Sequence, residues 1–287
     1  MIESILAWGA DFIVALQQFT FAPWDWVLRF FTWLGGIGYL FTVPLVLWCI
    51  DRRLGLRLLL MVILTMYLNT VIKEWFALPR PFEVDTRIIS EGEMGFSFPS
   101  GHAQLVAVFW GLLAMEVGRR WFTGVCLLVI FLTGLSRSYL GVHYPTDVMV
   151  GWLFGGLTLW AWHRWGEALE RWSTRQRLIG LLLACAAMTG LAFLLGSTEM
   201  VYGSVGMGLA AGLYGLWVRD DVAAASLLKR GVRYGIGVAA MFGLMMLLQK
   251  AAAWSQLPSV VDGFVLMAVF GAVIVGLLPW LFQKVRL

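Results

Sequence analysis

Charge is scarce in this 287-residue chain: Asp, Glu, Lys and Arg together make up 13% of it, about half the share of an ordinary soluble domain. That scarcity excludes a soluble globular enzyme. Cysteine is scarce too. Cys49, Cys126 and Cys185 stand far apart, in or beside apolar stretches; they are too few and too scattered for a disulfide framework or a metal cluster and read as packing residues. No run of Lys and Arg exceeds two residues, so the formal net charge of +4 forms no basic stripe, and nucleic acid is not expected as a partner. The positive start of a secretory signal is missing as well, since the chain opens Met1-Ile2-Glu3-Ser4.

Apolar residues fill the space that charge leaves. They make up 60% of the chain, and the mean hydropathy is +0.81. A membrane span needs about 20 apolar residues, and blocks of that length recur near 30–50, 55–74, 102–118, 121–138, 146–164, 177–196, 202–218, 233–249 and 260–282. The pattern predicts an all-α polytopic bundle of about nine transmembrane helices in contact with membrane lipids. Before it, Asp11, Gln17 and Gln18 interrupt an apolar segment, the pattern of an interfacial amphipathic helix. The expected division is an amino-terminal segment 1–28, a core 29–170 carrying the polar loops, and additional helices in 171–287. In the last region Gly203, Gly206, Gly208, Gly212 and Gly215 recur at spacings that suit tight helix packing.

The few cations are unevenly shared. Loops after alternate helices, together with the tail, hold Arg52, Arg53, Arg57, Arg119, Arg120, Arg164, Arg171, Arg175, Arg177, Arg219, Lys229, Arg230, Arg233, Lys284 and Arg286, fifteen of the 21 Lys and Arg residues. Cation-rich loops stay in the cytoplasm, which predicts an outer amino terminus and a cytoplasmic carboxyl terminus. Six cations remain for the other face, and four of them (Lys73, Arg80, Arg87, Arg137) fall in or beside two loops that also hold His102 and His143. A cation on that face has no topological reason to be there and is a candidate for function.

Lys73, Arg80 and Arg137 brought together repel unless an anion of higher charge sits between them, and phosphate fits. Ser100 and Gly101 precede an expected helix start, where free amides and the dipole favour the same anion. His143 and Asp147 are four residues apart, so in a helical turn the carboxylate can hold one ring nitrogen and present the other as a nucleophile or base. His102, at the end of the glycine turn, is then free to protonate a departing oxygen. No carboxylate cluster of the kind that binds divalent ions lies near the histidines, so neither metal nor cofactor is expected. Glu74, Glu83, Asp85, Glu91 and Glu93 read as solvated loop residues.

At these residues the sequence resembles the type 2 phosphatidic-acid phosphatase superfamily. The motif of lysine, six residues and Arg-Pro runs from Lys73 to Pro81, Pro-Ser-Gly-His from Pro99 to His102, and Ser-Arg, five residues, His, three residues, Asp from Ser136 to Asp147. The resemblance implies a metal-independent phosphatase, acting on a phosphoric monoester or a diphosphate, with His143 attacking phosphorus, Asp147 orienting it and His102 protonating the leaving group. Lys73, Arg80, Ser100, Gly101 and Arg137 would bind the phosphoryl oxygens. A site near the bilayer surface suits a lipid phosphate or prenyl diphosphate, and in a bacterial inner membrane it would face the periplasm. A small soluble phosphate, a phosphotransfer reaction, or a lipid transporter or scaffold are the other functions open to such a chain.

Overall fold

The computed structural model describes residues 2–19, 21–217, 225–285 and 287; Arg219 and Arg286 of the charge pattern lie outside the described residues. Among the described residues the fold is all helical, with no strand. The helices are α1 Ile2–Gln18, α2 Ala22–Gly35, α3 Tyr39–Leu45, α4 Arg52–Phe76, α5 Pro81–Val84, α6 Gly101–Val117, α7 Arg120–Tyr139, α8 Pro145–Glu170, α9 Thr174–Leu194, α10 Glu199–Trp217, α11 Leu227–Trp254, α12 Ser259–Ala272 and α13 Leu278–Lys284. Two π-helical segments, Val46–Ile50 and Val273–Leu277, continue α3 and α12. Five of the described helical stretches are long and apolar enough to cross a bilayer, and the pair broken between α2 and α3 passes as a sixth. The chain is thus an integral membrane protein.

The single helix expected over 30–50 is broken. Gly35, Gly36 and Gly38 crowd the break, and a Cβ at Gly38 would lie 2.9 Å from the Leu34 carbonyl oxygen, so the chain can fold back there only without a side chain. The chain divides into two compact units, one of residues 1–39 and 68–166 and one of residues 40–67 and 167–287.

In the first unit α7 packs against α6, α2 and α1. The close partner of α6 on its other side is α8, and the reason is a row of small residues. Asp147, Gly151 and Gly155 follow at four-residue spacing on one face of α8. A Cβ on Gly151 would stand 2.7 Å from the Ser100 carbonyl oxygen, and one on Gly155 2.9 Å from that of Gln104, so the two backbones touch as at a small-xxx-small crossing. That contact carries the start of α8 to the start of α6, where the Ser100 amide donates to the Asp147 carbonyl at 3.0 Å. The amino-terminal helix α1 buries Ala10 and Ile13 against Ile88 and Tyr144.

In the second unit α10 lies along α12, and glycines make the approach possible: a Cβ on Gly203 would meet the Gly263 carbonyl oxygen at 3.2 Å, and one on Gly271 the Met207 carbonyl oxygen at 3.0 Å. Arg52 and Arg233, read from the sequence as loop cations, are buried here. The irregular turns of a π-helix free carbonyls for other donors; Arg52 donates to Val275 at 2.9 Å and Arg233 to Trp48 at 2.7 Å.

Candidate active site

The expected site residues all fall in the first unit. Backbone geometry explains how the α7–α8 turn presents His143. The Arg137 carbonyl accepts from the amides of both Val142 (3.2 Å) and His143 (3.3 Å), closing the turn tightly. Gly141 sits at φ +70, and a Cβ there would lie 2.7 Å from the Ile89 carbonyl oxygen, so glycine meets both the conformation and the close approach.

The turn buries His143 to 1% exposure. Its Nε2 lies 3.4 Å from an Arg80 terminal nitrogen. Its Nδ1 lies 3.6 Å from Asp147 Oδ2, within ion-pair range but beyond hydrogen-bond length, and has no hydrogen-bond partner. The i, i+4 expectation assumed one helical turn, whereas His143 precedes α8, which starts at Pro145 and carries Asp147 in its first turn. Asp147 Oδ2 instead accepts from the Ser97 hydroxyl at 2.5 Å and from the Tyr144 amide at 3.0 Å.

Arg80 and Arg137 are each 2% exposed. Lys73 donates to the carbonyls of Phe96 and Ser97, while Arg80 donates to those of Met94, Gly95 and Val142, so these cations also shape the loop between α5 and α6. Arg137 Nε, by contrast, is buried without a partner.

Ser100 stands at the N-cap of α6 and its hydroxyl, also buried, caps nothing. The contrast within the chain is instructive: Ser173 and Ser226 cap α9 and α11 through their hydroxyls. Buried polar atoms are ordinarily paired, and Ser100 Oγ and Arg137 Nε each lack the acceptor such a donor usually has. Asn69 holds this turn, donating to Pro99 and Gln104. A Cβ on Gly101 would lie 2.9 Å from Asn69 Oδ1. His102 rests against Gly36, where a Cβ would stand 2.6 Å from its Nε2, so the break between α2 and α3 makes room for the ring.

The loop acids are paired, although Glu83 and Glu91 stay exposed to solvent. Glu83 accepts from the Arg80 amide at 2.7 Å, Asp85 pairs with Arg87 and Glu91 with Arg29 at 2.9 Å. Glu93 bridges Arg137 and Arg80. Spacing could not reveal the partners of Glu91 and Glu93, because those cations lie on other elements; Arg137 is 44 residues from Glu93. Among the described residues no group of three His, Cys, Asp or Glu side chains is arranged to hold a metal ion.

A family model described as PAP2 superfamily matches residues 54–171, a stretch that spans all three motifs. This stretch is similar to the PAP2 superfamily. An undecaprenyl-diphosphatase of Sulfolobus acidocaldarius is 31% identical over 36% of this chain and 51% of its own length. A phosphatidylglycerophosphatase B of Bacillus subtilis is 32% identical over 41% of this chain and 60% of its own. The chain therefore spans between half and two thirds of these two relatives. A crystal structure of a transmembrane PAP2-type phosphatidylglycerolphosphate phosphatase from Bacillus subtilis shares the fold, with a TM-score of 0.50 at 24% identity over 59% of this chain and 90% of that one.

One consequence of burial in this site is measurable. Burial pushes the His143 imidazole well below the usual histidine range, and the positive charges of Arg137, Lys73 and Arg80 push it the same way. An unfolded histidine takes up a proton near pH 6.5; the folded ring does not, so its contribution to stability is present above that pH and is lost as pH falls below it. With three histidines in the chain, the ring is assignable by NMR from the signal lost in His143→Ala. The expected spectrum at about pH 5.5 is that of a neutral imidazole. A protonated His143 there would contradict the burial argument.

Proposed function

We propose that this chain is a membrane phosphatase that hydrolyses a lipid phosphate or isoprenyl diphosphate through a phosphohistidine. The observation that carries the reading is the convergence of Arg80 and Arg137 on one carboxylate beside His143, with Ser100 Oγ and Arg137 Nε buried and unpartnered. Phosphate oxygens supply what such donors lack, and they bring more charge than a carboxylate.

The chemistry follows in two steps. The lone pair of His143 Nε2 forms a bond to phosphorus as the bond from phosphorus to the leaving oxygen breaks, and that oxygen takes a proton from His102. Water then attacks phosphorus, giving a proton back to His102; the N–P bond breaks and phosphate departs. Arg80, Arg137, Lys73, Ser100 and Gly101 hold the oxygens on which charge grows. Neither step calls on a metal ion or cofactor.

A bilayer-borne substrate is favoured because the core, read as residues 29–170, sits in a chain built of apolar helices. The names of the relatives, which refer to undecaprenyl diphosphate and phosphatidylglycerophosphate, point to the same class. The test is phosphate release from phosphatidate, prenyl diphosphate, sphingoid phosphate and glucose phosphate in the presence of EDTA. Release from the lipid substrates is expected; release from glucose phosphate alone would overturn the substrate class, and loss to EDTA reversed by a divalent ion would overturn the chemistry.

The uneven cations favour a site outside the cytoplasm, with the amino terminus outside and the carboxyl terminus inside; in a bacterial inner membrane that side is the periplasm. With Cys49, Cys126 and Cys185 replaced, Thr86→Cys should react with an impermeant thiol reagent in intact cells and Thr174→Cys only after lysis. Both positions are exposed on the protein surface. The reverse pattern would put the histidines in the cytoplasm.

A further inference from the structure

The loop between α5 and α6 crosses the site as a strap tied at alternate residues. Arg87 pairs with Asp11 at 2.8 Å, the Ile89 carbonyl and amide bond to the Gln17 side chain, Glu91 pairs with Arg29, and Glu93 reaches inward to both cradle arginines. The outer ion pairs are exposed, and exposed pairs hold weakly. Gly92 and Gly95 bracket the inward carboxylate at φ +80 and +78, each with nothing near where a Cβ would stand.

Arg80 has five N–H donors. Three go to backbone carbonyls that shape the loop, one faces His143 Nε2 at 3.4 Å, and one faces Glu93 Oε1 at 3.4 Å. The donors an incoming anion can use are therefore those turned to His143 and Glu93. On Arg137 the contact to Glu93 Oε2 takes a terminal nitrogen while Nε waits unpartnered.

Building on the phosphatase reading, we propose that Glu93 is a specificity-determining residue, an internal anion that holds the phosphoryl position between Arg80 and Arg137 and must be displaced by substrate. A carboxylate has two oxygens and one charge. It leaves Ser100 Oγ and Arg137 Nε unsatisfied, whereas a phosphoryl dianion has three terminal oxygens and can satisfy both, so the exchange favours doubly charged phosphates over singly charged competitors such as carboxylates and sulfate monoesters. The strap lifts with Glu93 when phosphate takes its place.

The test compares inorganic phosphate binding, by calorimetry on detergent-solubilised full-length protein, and KM and kcat for the best lipid substrate, in wild type, Glu93→Gln and Glu91→Gln. Glu93→Gln removes the competing charge at nearly constant shape and is expected to bind phosphate about ten-fold more tightly, with KM lowered in step and kcat not raised. Glu91→Gln breaks only the outer tie to Arg29 and is expected to act in the same direction by about two-fold. It keeps the test decisive if Glu93→Gln does not fold. Structural damage would weaken binding, so a gain in affinity separates the two explanations. Unchanged or weaker phosphate binding in the folded variants, beside an active wild type, overturns the role of Glu93 and leaves the phosphatase reading standing. No phosphate binding and no turnover in the wild type overturns both.

Discussion

His143→Ala is expected to abolish turnover, lowering phosphate release by at least about a thousand-fold, while the protein keeps its fold. The size of the effect comes from the role: without the imidazole no covalent intermediate forms, and binding phosphate in the cradle does not replace a missing nucleophile. The survival of the fold comes from the backbone. The turn that carries His143 is closed by its own amide and that of Val142 on the Arg137 carbonyl, and neither bond needs the side chain. Removing a buried ring that is neutral relieves no charge and breaks no hydrogen bond at Nδ1, which makes none. Phosphate release measured beside thermal unfolding separates the two effects. A well-folded His143→Ala protein that releases phosphate at the wild-type rate would end the mechanism.

Asp147→Asn is expected to lower kcat by about a hundred- to ten-thousand-fold while changing KM little. The argument rests on one oxygen. Asp147 Oδ2 receives the Ser97 hydroxyl and the Tyr144 amide and stands 3.6 Å from His143 Nδ1, so a small rotation of the ring completes the hydrogen bond that fixes its tautomer as it gains positive charge. Asparagine can turn an N–H toward the same nitrogen, which fixes the opposite tautomer and takes the lone pair away from Nε2. The phosphate-binding side chains are left in place, because Arg80 and Arg137 direct their hydrogen bonds to other groups than the Asp147 side chain, and the α6–α8 contact persists through the Asp147 carbonyl. Steady-state kinetics over a range of substrate concentration gives the split. A loss confined to KM would assign Asp147 to binding instead of to the histidine.

The chemical residues were legible because membrane-embedded sequence leaves little room for charge. Against an apolar background, Lys73, Arg80, Arg137 and the two loop histidines stand out on the cation-poor face without any knowledge of the fold. The helices were legible for the same reason, with one failure at 30–50, where length and hydropathy hid a break that three glycines signal and that His102 requires. The row of Asp147, Gly151 and Gly155 could have been read from the sequence as a contact face; what it touches could not. Polar residues in a long loop were the least legible. Glu83, three residues after Arg80, caps a local amide, whereas Glu91 and Glu93 look alike by spacing, and only their distant partners separate an outer tie from a carboxylate between two arginines. Asn69 and Ser97 were missed because single amides and hydroxyls in apolar or loop surroundings carry no periodic signal, yet they hold the glycine turn and the Asp147 carboxylate.

The most direct measurement is rapid-quench trapping during turnover of a substrate labelled in its phosphoryl group, followed by mass spectrometry of the fragment that contains His143. The account predicts an acid-labile phosphoryl group on the His143 ring that appears before free phosphate, decays as water replaces it, and is absent from His143→Ala. Turnover with no label on His143 at any time, or label on another residue, would contradict it.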